Sequence, residues 1–152
     1  TGDRSGDFLF PALHRAGFAS SPVSRRADDG MTLSGMFVAA AARCAPPDNK
    51  PLPQELASCH EYLVREWDAL PDVKVVLCLG GVAHDAALRT FVTRGIALRK
   101  SAFPFAHGAE YLIRSQTVLD SYHVSRQNTN TGRLTPAMFD AVLARARVIA
   151  GL

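Results

Sequence analysis

The stretch from Asp120 to Thr135 reads Asp-Ser-Tyr-His-Val-Ser-Arg-Gln-Asn-Thr-Asn-Thr-Gly-Arg-Leu-Thr. It packs a histidine, serines, two arginines, a glutamine and two asparagines into a few residues. Such density is costly to bury and suits contact with the phosphates and bases of a nucleic acid. A solvated connecting loop explains it equally well. An apolar strand pattern precedes the stretch and a helix start follows it. The order therefore predicts a loop at the C-terminal edge of a strand, where open α/β sheets carry their sites.

Other residues point to chemistry less sharply. Cys44 and Cys59 flank a proline-rich connection, and two thiols at that spacing are weak evidence for a metal. Zinc completed by His60 or His14 is a competing reading, although neither histidine stands at ligand spacing. Cys78 falls within an apolar run, as a buried and inert thiol does. Gly80-Gly81, between a strand and a helix, either exposes backbone N–H groups to a phosphate or allows tight packing at a helix start. The aromatic segment Phe103 to Tyr111, with His107 inside it, reads as packing.

The elements that position these residues follow from periodicity and punctuation. Ser5 is an N-cap candidate; Phe8, Leu9, Ala12, Leu13 and Ala16 form one helical stripe, and Gly17 is a stop. Ser20 to Gly30 is polar and loop-like. Met36 to Ala42 reads as a short buried strand. Cys44 to Pro53 carries four prolines and reads as a rigid loop. Pro53 opens a helix along which Leu56, Cys59, Leu63, Trp67 and Leu70 share a face, with Pro71 ending it. Val73 to Leu79 is the apolar run of a strand covered on both faces. A helix from Val82 to Arg94 ends at Gly95. Tyr111 to Ile113 and Thr117 to Tyr122 read as strands. Thr135-Pro136 opens a last helix whose apolar face is Met138, Phe139, Val142, Leu143, Ala146 and Ile149. The alternation predicts an α/β domain with a mainly parallel sheet spanning residues 1–152. Because the chain opens with a loop and a helix, a first strand upstream of it is expected.

Composition agrees. Of 152 residues, 47% are hydrophobic and 20% charged, which suits a packed core and argues against disorder. The net charge of 17 − 14 = +3 is compatible with a polyanionic partner. No apolar run nears the ~18 residues that would span a bilayer and no signal-peptide pattern opens the sequence, so a cytoplasmic location is expected. Three cysteines make a disulfide framework unlikely.

His-Val-Ser-Arg-Gln-Asn-Thr, from His123 to Thr129, resembles the second signature motif of the B-type (family 5), iron–sulfur uracil-DNA glycosylases. Thr131-Gly132-Arg133-Leu134-Thr135, Arg43-Cys44-Ala45-Pro46-Pro47-Asp48-Asn49-Lys50-Pro51 and the opening Thr1-Gly2-Asp3-Arg4-Ser5-Gly6 are similar to further family blocks, in the family's order. The resemblance implies a three-layer α/β/α fold and hydrolysis of the base–sugar bond of uracil, after the nucleotide is flipped out of the duplex. It implies that His123 donates to uracil O2 as negative charge grows there, and that Asp3 places water or tolerates charge beside the sugar. Ser125, Arg126, Gln127 and Asn128 become DNA contacts, with Arg126 and Gln127 at the tip that enters the helix. Cys44 and Cys59 become two of four ligands of a [4Fe–4S] cluster. A monomer acting on DNA with uracil or other deaminated bases is expected.

Two departures bear on this. The family's upstream strand, its Gly- and Pro-containing loop and a Cys-x-x-Cys are not in the sequence, so the chain is expected to begin inside the first motif. Related single-domain glycosylases place an asparagine where Ala39 to Ala42 stand here, and small side chains there imply a base range extending to hypoxanthine. Two rivals remain: a non-catalytic nucleic-acid-binding module of the same fold, and a relative that traps abasic sites covalently through His123.

Overall fold

The computed structural model describes residues 5–26, 28–43 and 51–152. Asp3, Cys44 and most of the proline-rich loop lie outside the described residues. The elements run α1 (Gly6–Arg15), α2 (Pro53–Asp68), β1 (Val75–Leu79), α3 (Gly81–Thr93), a 3-10 turn at Lys100–Ala102, β2 (Glu110–Ile113), β3 (Gln116–Ser121), α4 (Arg126–Asn130) and α5 (Pro136–Ala150).

The sheet has the order β1-β3-β2. β1 and β3 are parallel, in register from Val75↔Thr117 to Leu79↔Ser121. β2 and β3 form an antiparallel hairpin from Glu110↔Leu119 to Ile113↔Gln116. Side chains alternate across a strand, and β1 serves two cores accordingly. Val76 and Cys78 pack with Trp67 of α2 and Ala87, Leu88 and Phe91 of α3. Val75 and Leu77 face Val142 and Ala146 of α5. Leu77 and Leu79 also join α5 and α1 around Phe10, Leu13, Phe139 and Leu143. The fold is therefore α/β in three layers, with α2 and α3 on one face of the sheet and α1 and α5 on the other.

The helix boundaries follow local chemistry. Thr135 caps α5, its Oγ1 accepting from the Met138 N–H at 3.2 Å, with Pro136 in the first turn and Gly151 closing the helix at φ +75°. Pro53 opens α2 in the same way, and Glu55 reaches back to the Leu52 N–H. Ser5 precedes α1 as expected, but its side chain makes no cap bond.

Two expectations fail. Met36 to Ala42 is irregular rather than a buried strand, with Phe37 53% and Val38 52% exposed. Alanine has low strand propensity, and among the described residues no strand runs alongside to complete a ladder, so an apolar run alone does not make a strand. The Asp120–Thr135 stretch is not all loop: Asp120 and Ser121 finish β3, and residues 126–130 wind into the short α4. Among the described residues, no helix is long and apolar enough to cross a membrane.

Candidate active site

The parallel pair β1–β3 ends on one edge, and both chains turn there. After β1, Gly80 adopts φ +90° and opens α3. Its N–H donates to the Ser121 carbonyl at 2.8 Å, fastening this turn to the end of β3. A Cβ on Gly80 would lie 3.1 Å from the Cβ of His123. Glycine is thus required twice, by its left-handed backbone and by the approach of His123. The first-turn N–H groups of α3, which have no partner inside the helix, begin beside this histidine.

His123 is exposed, and the residues around it are not loose. Val124 is buried among Leu134, Phe139 and the apolar side of α1. Asn128 Nδ2 donates to the His123 carbonyl at 2.9 Å, and the Leu134 N–H donates to the Asn128 carbonyl at 3.0 Å. Asn128 therefore ties α4 back onto the histidine. Ser125 stands at the start of α4, its carbonyl accepting from the Thr129 N–H at 3.0 Å. Arg126 and Gln127 are exposed on the helix that follows. Of the residues singled out from sequence, His123, Ser125, Arg126, Gln127 and Asn128 thus form one surface with the Gly80-Gly81 turn. Asp3 lies outside the described residues; two positions later Ser5 leads into α1, which shares its core with Val124 and Leu134.

A buried pair behind the edge escaped the sequence reading. His84 of α3 is 3% exposed and Asp120 of β3 is fully buried. Nδ1 of His84 lies 2.9 Å from Asp120 Oδ1, and Nε2 lies 2.8 Å from the Phe103 carbonyl. Each ring nitrogen faces an acceptor, so one proton lies within the His84–Asp120 bond and another on Nε2. Burial pushes the Asp120 carboxyl above the usual carboxylate range, and His84 pulls in the other direction. The pair cross-links the start of α3, the end of β3 and the Phe103 segment immediately behind the edge. The only sequence signal was a histidine just inside α3 and an aspartate just before Ser-Tyr-His.

Cys59 lies on α2. Its Sγ accepts the backbone N–H of Arg43 at 3.3 Å, and Arg43 also pairs with Glu66 and lies 4.8 Å from the Tyr62 ring centroid. The next residue in sequence, Cys44, lies outside the described residues. His60, the rival zinc ligand, has its Nε2 3.0 Å from Thr93 Oγ1. Among the described residues no group of three His, Cys, Asp or Glu side chains could hold a metal ion.

Residues 1–147 match the model of the uracil DNA glycosylase superfamily. The chain belongs to that superfamily. It is 52% identical, along its whole length, to the Type-5 uracil-DNA glycosylase of Thermus thermophilus, of which it covers 67%. It is 42% identical over its whole length to the Type-5 uracil-DNA glycosylase of Mycobacterium tuberculosis, covering 56% of that protein. It is 36% identical over 99% of its length to that of Pyrobaculum aerophilum, covering 63%. The chain thus spans between roughly half and two thirds of these curated relatives, and the match extends through all of the motif blocks.

Proposed function

We propose that the protein is a monofunctional DNA glycosylase, hydrolysing the N-glycosidic bond of uracil in DNA and leaving an abasic site. The observation that carries this reading is the placement of His123: exposed at the C-terminal edge of the sheet, pressed against Gly80 and pinned by Asn128. Loss of the base leaves negative charge on the pyrimidine and cation-like charge on the sugar. His123 supplies the donor to O2 where that charge grows, an interaction stronger in the transition state than in the ground state. Asp3 takes the complementary task beside the sugar, holding water and balancing positive charge. Arg126 and Gln127 lead the segment that fills the gap left by the flipped base. Ser125 contacts phosphate, and Asn128 acts by shaping the loop. The Type-5 relatives, named as uracil-DNA glycosylases, support the same activity.

A [4Fe–4S] cluster fits the chemistry of Cys59. Its half-exposed sulfur already accepts a backbone N–H, the kind of contact that steadies a ligating thiolate. Cys44 and Cys59 would hold two corners of the cluster, and the other two thiolates are not supplied by Cys78. That thiol is buried against the sheet, and burial, with the charge of Asp120, pushes its pKa far up. The cluster would supply structure, fixing the proline-rich connection.

The substrate range we propose includes deaminated purines. Ala39 to Ala42 offer no side-chain amide to read the uracil edge, and base-specific discrimination depends on such buried polar groups. The protein acts as a cytoplasmic monomer on DNA.

Incubating the intact protein with oligonucleotides carrying one uracil or one hypoxanthine, then cleaving abasic sites with alkali, tests these statements together. Release of both bases is expected. Strict preference for uracil would remove the broader range. Binding without release would make the protein a nucleic-acid-binding module, and a denaturation-resistant adduct would make it an abasic-site trap.

A further inference from the structure

The segment from Phe103 to Tyr111 does more than pack. Beyond the end of the β2–β3 hairpin, the pairing runs on through a bulge in which two residues face one: the Asp120 N–H donates to the Ala109 carbonyl at 2.9 Å, and the N–H of Gly108, at φ +77°, donates to the Asp120 carbonyl at 2.8 Å. Past that extra residue, an antiparallel ladder would bring the next donor two residues on, the Tyr122 N–H, to the carbonyl of residue 106. It donates instead to the imidazole of His107, at Nδ1, over 3.1 Å. The His107 and Tyr122 rings stack with centroids 4.9 Å apart and planes 20° from parallel. A side chain thereby replaces a backbone acceptor at the residue immediately before His123.

We propose that His107 is a positioning residue for His123, its unprotonated Nδ1 fixing the Tyr122 backbone and so the direction in which the His123 ring meets the base. This rests on the glycosylase reading above. An imidazole nitrogen accepts only while it lacks a proton. Charged and titratable groups on the neighbouring elements have partners of their own. Asp120 is bonded to His84, Glu110 pairs with Arg145, and the Arg133 guanidinium lies 4.6 Å from the Tyr122 ring centroid. Partial burial alone holds the His107 pKa below its ordinary value, so Nδ1 is free to accept at neutral pH. As pH falls through that lowered value, Nδ1 gains a proton, a donor comes to face a donor, and the bond is lost.

Three forms of the intact protein decide the matter: wild type, His107→Ala and His107→Asn. Asparagine keeps an acceptor oxygen near the Nδ1 position and does not titrate. In single-turnover excision of uracil at neutral pH, His107→Ala should lower the rate roughly tenfold with little change in DNA affinity, the mark of lost positioning. His107→Asn should recover most of that rate and should fall off less steeply than wild type at acid pH. In NMR spectra without DNA, the Tyr122 and His123 amide signals of the wild type should titrate together with the His107 ring. Excision by His107→Ala at the wild-type rate would overturn the proposal. So would amides that stay flat while the His107 ring titrates, or a folded His107→Asn as slow as His107→Ala. If wild type releases no uracil, the glycosylase reading fails on its own, and the amide titration still judges the His107–Tyr122 link.

Discussion

Two connecting stretches of this molecule contrast sharply. The first, 121–135, is rich in polar side chains yet anchored at every few residues: Gly80 N–H to Ser121, Tyr122 N–H to His107, Val124 and Leu134 in the core, Asn128 to the His123 carbonyl. The second, 20–43, is richer in apolar residues but is tied mainly near its ends: Ser20 N–H to Thr32, Ser34 N–H to Phe18 and Arg43 N–H to Cys59 Sγ, with Asp29 closing a local turn, while in the 36–42 run Phe37 and Val38 face solvent. Polar content did not make the first stretch loose, and apolar content did not order the second. Order came from backbone groups that found partners on neighbouring elements. A loop that must present one histidine at a fixed angle needs that kind of fastening.

The largest loss is expected from a change just behind the first stretch. His84→Leu leaves Asp120 buried without its partner, and breaking a buried pair from one side typically costs about 3–5 kcal/mol. Urea unfolding should show a much lower midpoint with an unchanged slope; a midpoint near wild type would mean that the pair does not fasten the edge. Gly80→Ala comes next. It forces a Cβ into φ +90° and to 3.1 Å from the His123 Cβ, and strained positions of this kind cost about 1–3 kcal/mol. Because the displaced neighbour is His123, excision of uracil should slow by more than the loss of folded protein explains. An equally active Gly80→Ala would show that His123 tolerates movement. In the second stretch, Phe37→Ser should change stability by less than about 0.5 kcal/mol, as solvent-facing substitutions usually do; a larger loss would show that the 36–42 segment is packed after all.

The smallest effect concerns the turn at Asp29. Backbone donors at Met31, Arg25 and Arg26 lower its carboxyl pKa to about 2. The folded value lies below the ordinary one, so the turn's contribution is complete above the ordinary carboxylate range and fades as pH falls toward about 2. Amide protection at Arg25, Arg26 and Met31 should fall only in that acid window, while the Leu134 amide, bonded to the Asn128 carbonyl, keeps its protection.

Much of the fold was legible because its signals are local. Pro53, Thr135-Pro136 and Gly95 punctuate helices by backbone geometry that a residue type alone reveals. The strands at 75–79 and 116–121 declare themselves by β-branched and apolar runs. The surface around His123 was readable for the same reason, since its residues are contiguous. What stayed hidden depends on non-local pairing. Met36 to Ala42 looked like a strand because apolarity is visible in a sequence and a ladder partner is not. His84 and Asp120 lie 36 positions apart, and nothing in either neighbourhood announces the other. His107 was read as packing because its acceptor role depends on where Tyr122 comes to rest. Asp3 and Cys44, read from motif blocks, lie outside the described residues, and their roles stand as proposals.

The most direct measurement compares wild-type protein with His123→Ala in single-turnover release of uracil from a duplex oligonucleotide, with DNA affinity measured alongside. A rate lower by roughly 10²–10³, at nearly unchanged affinity, is expected when one donor to a developing oxyanion is removed. Undiminished release by His123→Ala would contradict the role given to this histidine and, with it, the assignment of the strand edge as the place where the base departs.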